Sequence, residues 1–153
     1  QFHGQADEAK LQEAVELAAL AKDLPFLPDG LDTLVGEKGV ALSGGQKQRV
    51  SIARALAADP EVLILDDALS AVDAKTEAEI IANIRRARAG RTTLIVTHRL
   101  SAVQHADHII VLDEGRIAEE GTHEQLLALG GWYRKQWELQ QAEQMLVGTD
   151  GDG

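Results

Sequence analysis

The chain has 153 residues, 44% of them hydrophobic, with 25 acidic against 15 basic side chains for a formal charge of −10. That size and balance fit one folded domain with its own core, and the negative charge argues against a broad nucleic-acid surface without excluding a local anion site at a helix N-terminus. The lack of cysteine excludes disulfides and thiolate metal sites, and no run approaches the roughly 18 to 20 apolar residues of a membrane span.

Residues 7–21, DEAKLQEAVELAALA, place Leu11, Ala14, Val15, Ala18 and Ala19 on one face at helical spacing. The following KDLPFLPDGLDTLVGEKGV, with its prolines and glycines, reads as a loop-rich connector. Ser43 then opens a helix that turns Val50, Ala53, Leu56 and Ala57 inward and stops at Asp59-Pro60. VLIL (62–65) and TTLIVT (92–97) are continuous apolar runs of the kind buried on both faces of a parallel sheet, with a crossover helix between them that Asp73 N-caps. HIIVLD (108–113) turns at Glu114-Gly115 into RIAEEG, a hairpin. Helices are expected from Thr122 to Leu129 and from Trp132 to about Leu146, ahead of a Gly/Asp tail expected to be disordered.

The start of the helix at Ser43 is unusual. Ser43 and Gln46 have the spacing of a capping box, yet Gly44 and Gly45 fill the first turn, where each costs about 1 kcal/mol relative to alanine. Without a Cβ, those positions let the phosphates of another molecule approach backbone N–H groups at the positive end of the helix dipole. On this reading alanine at Gly45 is expected to leave the fold at least as stable while disabling the ligand surface. The two parallel strands end in Asp66-Asp67 and Thr97-His98, polar residues at the strand ends where α/β sheets gather ligands.

Together these stretches resemble the ATP-binding cassette family. LSGGQ (42–46) is similar to its signature motif, VLILDD (62–67) to its Walker B strand, SAVD (70–73) to its D-loop, and His98 in IVTHRL to its switch histidine. TLVGEKG (33–39) resembles the X-loop of exporter-type cassettes, and residues 119–140 resemble their C-terminal end. The resemblance runs from about Phe2 to about Gln140 and implies an α/β, partial P-loop NTPase-like fold: a mainly parallel sheet flanked by helices, with a helical signature subdomain. The implied layout is a signature part at 1–60, a Walker B to C-terminal part at 61–147 and a tail at 148–153.

The family's phosphate loop, G-x-x-x-x-G-K-[ST], and its glutamine loop are absent from the sequence. The resemblance puts both upstream of Gln1, so the chain is expected to be the back half of a nucleotide-binding domain and inactive alone, in keeping with its Gln1-Phe2-His3-Gly4 opening and its single Met145. The resemblance further implies ATP and Mg²⁺ as ligands. Asp66 would serve the metal, Asp67 and His98 catalysis, and Ser43, Gly44, Gly45, Gln46 and Asp73 the nucleotide of a second, homologous domain. Asp67 stands where the family usually has glutamate. A carboxylate withdrawn by about 1.5 Å, one C–C bond, implies slow hydrolysis at this chain's own site, as in one half of a heterodimeric exporter on the cytoplasmic face of a membrane. The alternatives are a chromosome-maintenance or DNA-repair ATPase, disfavoured by TLVGEKG and the acidic charge, and a non-catalytic partner-binding piece.

His3, His105, His108 and His123 lack metal-ligand spacing and are assigned no chemistry. Arg85, Arg86 and Arg88 are expected on a solvated helix face rather than in a nucleic-acid patch, and Trp132, Tyr133 and Trp137 are expected to pack the last helix onto the domain.

Overall fold

In the computed structural model, which describes residues 4–26 and 43–150, the chain forms two units, Gln1–Thr97 and His98–Gly153. The first unit begins with helix α1 (Gly4–Leu17). Its end is a Schellman closure: Ala19 N–H donates to Glu16 and Leu20 N–H to Val15, with Ala19 at φ 57° in the left-handed position where glycine is usual. Val15 and Leu20, the apolar pair of that closure, are fully buried. A short 3₁₀ helix follows at Ala21–Phe26; the rest of the expected connector, TLVGEKG included, and Leu42 of LSGGQ lie outside the described residues.

Helix α2 (Gly44–Ala57) buries Val50 and Ala53 as its periodicity predicts, and Ile52 as well, which lies outside the expected stripe. Strand β1 (Val62–Asp66) pairs in parallel with β2 (Thr92–Val96), from Val62 beside Thr92 to Asp66 beside Val96. Helix α3 (Ala74–Ala87) makes the crossover between them. Leu63, Leu65, Ile80 and Ile84 join Ala14, Val15, Ile52 and Ala53 in one core.

The expectation that both strands are buried on both faces is corrected. Val62 and Ile64 are 56% and 60% exposed, Leu94 and Val96 52% and 48%. Strand side chains alternate between faces, and the core helices of this unit cover the Leu63 and Leu65 side. A sheet buried on one side produces the observed alternation.

Arg88 also departs from expectation. It is 6% exposed, and its guanidinium donates to Thr93 Oγ1 and to the carbonyls of Pro60, Glu61 and Thr92 at 2.8 to 3.3 Å. It ties the C-terminal end of α3 to the start of both parallel strands, so the charge is buried because its planar fork finds an acceptor in every direction. Arg88→Ala strips those carbonyls of their donor and should destabilise by about 2 kcal/mol or more. Thermal unfolding of the full-length protein checks this: the domain's transition should fall by several degrees, and an unmoved midpoint would contradict the clamp.

In the second unit, β3 (Ile109–Asp113) and β4 (Arg116–Gly121) form the expected antiparallel hairpin. Its two-residue turn is Glu114 (φ 49°) and Gly115 (φ 75°), the paired positive angles of a type I′ turn. Thr122 and Gln125 form a capping box at the start of α4 (His123–Leu129), which ends on Gly130 at φ 69°. Helix α5 (Trp132–Asp150) runs past the expected end at Leu146. Leu100, Ile109, Leu126 and Tyr133 form this unit's core with Trp137 against it, whereas Trp132 is 51% exposed and does not pack as expected. The Tyr133 hydroxyl lies 2.7 Å from His123 Nδ1, and burial pushes its pKa up to about 12; His123 has a packing role.

Candidate functional site

The helix start at Ser43 is a true capping box. Ser43 is extended (φ −65°, ψ 162°), its Oγ accepts from Gln46 N–H at 3.1 Å, and its own N–H donates to Gln46 Oε1 at 3.0 Å. The first intrahelical bond runs from Lys47 N–H to the Ser43 carbonyl. The N–H groups of Gly44 and Gly45 therefore have no acceptor within the helix and project from its positive end. Ser43 and Gly44 are exposed, and the Ser43 hydroxyl keeps a proton to donate after accepting from Gln46. This geometry suits an anion with several acceptor oxygens.

Residues 70–73 lie against the same turn. A Cβ on Gly45 would sit 3.0 Å from the Ala71 carbonyl oxygen, and one on Gly44 3.4 Å from the Ala71 Cβ. Alanine at Gly45 would press on the chain's own backbone, which would have to give by a few tenths of an ångström, so helix propensity alone does not carry the expectation that the fold stays at least as stable. Gln48, which sequence reasoning did not single out, closes the contact by donating from Nε2 to Ser70 Oγ (2.9 Å) and accepting from Ala71 N–H (2.7 Å). Arg49, also missed, donates to the Ala19 carbonyl at 2.8 Å and pairs with Asp23 at 2.5 Å, with the two side chains 12% and 19% exposed. It anchors α2 to the closure of α1. Both residues look like ordinary helix-surface polar residues in sequence, and their partners stand 22 to 30 positions away.

Asp66 ends β1 and Asp67 follows it, both exposed. Asp67 N–H donates to the Val96 carbonyl at 2.8 Å and its φ is 53°, a left-handed conformation that aspartate tolerates better than most residues. The carboxylates thus leave the carboxyl end of a parallel strand at a fixed backbone kink. Asp73 caps α3, accepting from Thr76 N–H at 3.0 Å, and that backbone donor holds its carboxyl below the usual range. Ser43, Gly44, Gly45, Gln46, Asp66, Asp67 and Asp73 all belong to the first unit.

His98 belongs to the second unit, with its side chain exposed. Its carbonyl accepts from Gln140 Nε2 at 2.9 Å, and Leu100 N–H donates to Gln140 Oε1 at 2.9 Å. Gln140 is a third residue that sequence reasoning missed, since its partners lie 40 and 42 positions away.

No cluster of three or more His, Asp or Glu side chains placed to hold a metal occurs among the described residues. Mg²⁺ needs no such cage, because it is held through one or two carboxylates, water and substrate phosphates. A single exposed Asp66 carboxylate at a strand end fits that mode.

A family profile described as ABC transporter matches residues 3–70. The chain is 68% identical over 136 residues to a probable multidrug resistance ABC transporter ATP-binding/permease protein, YheI, of Bacillus subtilis (strain 168), covering 89% of this chain and 23% of that protein. It is 49% identical over 138 residues to an ATP-dependent lipid A-core flippase of Burkholderia orbicola (strain AU 1054), covering 90% and 23%. The structure of a bacterial Atm1-family ABC exporter with ATP bound matches with a TM-score of 0.75 at 45% identity, over 86% of this chain and 23% of that one. The chain thus spans about a quarter of the length of the relatives it matches. On these similarities, and with its α/β fold, the chain belongs to the ABC transporter family and corresponds to part of its nucleotide-binding domain.

Proposed function

We propose that this chain works within an ATP-driven exporter of small molecules, drugs or lipids, supplying one nucleotide site with its Walker B carboxylates and switch histidine and a second site with its signature turn. The observation that carries the reading is the α2 N-terminus, where a capped serine and two glycines present donors to an anion while the chain's own 70–73 loop lies against them. The relatives' names, a multidrug resistance transporter and a lipid A-core flippase, support the substrate classes. The nucleotide is ATP, and the assembly faces the cytoplasm beside transmembrane domains.

Two such domains would close head to tail. Ser43 Oγ–H and the Gly44 and Gly45 N–H groups donate to the terminal phosphate of the ATP held by the partner, which favours the charge that builds up there during transfer. On this chain's own side, Asp67 accepts a hydrogen bond from the attacking water, orienting it and drawing off its proton. His98 donates to the terminal phosphate. Asp66 would hold Mg²⁺, which would supply positive charge to offset that on the phosphate oxygens. Asp73 keeps its N-cap role while the 70–73 loop couples the two sites. The shortened base at Asp67 favours a heterodimer with one slow and one competent site.

The 153-residue polypeptide by itself contains no G-x-x-x-x-G-K-[ST] loop, so it should bind Mg-ATP with no appreciable affinity, whereas the full-length protein carrying this sequence should bind and hydrolyse it. Calorimetric titration of both separates the cases. Low-micromolar binding by the short polypeptide, or an inert full-length protein, would contradict the reading.

A further inference from the structure

We propose that Gln140 on α5 is a positioning residue for His98, a role that rests on the assignment of His98 under Proposed function. Its primary amide bridges the backbone on both sides of Arg99: Nε2 donates to the His98 carbonyl and Oε1 accepts from Leu100 N–H, both at 2.9 Å. A carbonyl and an N–H two residues apart are what one residue of a parallel neighbouring strand would satisfy. The Gln140 side chain therefore stands in for a strand partner at a place where the chain has left β2 and not yet entered β3.

The geometry has consequences for the histidine. Arg99, between the two bridged groups, is extended (φ −91°, ψ 112°) and directly precedes the 3₁₀ turn Leu100–Ala102. With the His98 carbonyl and the Leu100 N–H both tied to one planar amide, the peptide units flanking Arg99 have little freedom to rotate, which restrains the backbone that carries the His98 side chain. The amide has one workable orientation, since flipping it would set an NH₂ against an N–H and an oxygen against a carbonyl. Leu100 is buried, as is Tyr133 seven residues before Gln140 on α5, and both belong to one core cluster. The bridge is thus mounted on a rigid base and reaches up to an exposed histidine. A histidine that must meet a phosphate oxygen gains from a fixed backbone, because a misplacement near 1 Å can lower a rate by about a hundredfold.

Gln140→Leu keeps an uncharged, branched side chain, shorter by one bond, and removes both hydrogen bonds. In the full-length protein assembled as its dimer, single-turnover hydrolysis at the site built on Asp66 and Asp67 should slow by on the order of tenfold or more, with the ATP concentration for half-saturation nearly unchanged. In a His98→Ala background the same substitution should change the rate by less than about twofold, because a positioning residue has nothing left to position. Equal fold losses in both backgrounds, or no loss in the native background, would overturn the proposal. A second readout does not depend on turnover: hydrogen exchange at the Leu100 amide should accelerate in Gln140→Leu, and unchanged exchange would overturn the bridge. If the unsubstituted protein hydrolysed no ATP while exchange at Leu100 still responded, the assignment of function would fail and the bridge would stand.

Discussion

Gly45→Ala is expected to slow hydrolysis at the partner's nucleotide by on the order of a hundredfold and to destabilise the fold. Two terms oppose each other in stability. Alanine gains about 1 kcal/mol over glycine in a helix, but its methyl would stand 3.0 Å from the Ala71 carbonyl oxygen. Relief requires the 70–73 loop to move, and that loop is held by the Gln48–Ala71 hydrogen bond at 2.7 Å and by buried Val72. Overpacking against a held backbone costs about 1 to 3 kcal/mol, so the second term wins. Gly44→Ala provides the contrast, since its methyl would make only an ordinary 3.4 Å contact with the Ala71 side chain. Gly44→Ala should melt at or above the native temperature and still lose activity if a phosphate must approach that face. Thermal melting with ATPase assays on both variants checks the pair. A Gly45→Ala protein that is both more stable and fully active would show that neither the loop nor a phosphate needs the space.

Asp67→Glu is expected to raise turnover at this chain's own site, by on the order of tenfold or more, since about 1.5 Å of reach is restored. The substitution should not stabilise the protein. Residue 67 sits at φ 53°, where aspartate is better tolerated than glutamate. Asp67→Asn should reduce total turnover less than removing the corresponding base from the partner. Single-turnover measurements on the assembled dimer separate the two sites, and equal losses from the two substitutions would make Asp67 a competent base and remove the asymmetry.

Much of this architecture is legible in the sequence because it is written locally. The capping box at Ser43 and Gln46, the N-cap at Asp73, the Glu114-Gly115 turn and the apolar stripe of α1 each depend on residues within a turn or two of one another. What escaped is non-local. Gln48, Arg49, Arg88 and Gln140 act through partners brought near by the fold, and a polar helix residue carries no mark that distinguishes a clasp from a solvated side chain. The strand faces escaped for a different reason: VLIL is apolar at every position, so periodicity cannot say which side the helices cover. Gly45 was legible as a place where a Cβ is unwelcome, but the nearest occupant is Ala71 of the same chain.

The most direct test of the head-to-tail account is site-resolved trapping of a photoreactive ATP analogue with vanadate in the full-length dimer, with Gly44→Ala placed in this chain only. Labelling of the partner polypeptide, whose nucleotide faces Ser43, Gly44 and Gly45, should be lost while labelling of this chain's own polypeptide persists. Loss confined to this chain, or undiminished labelling of both, would contradict it.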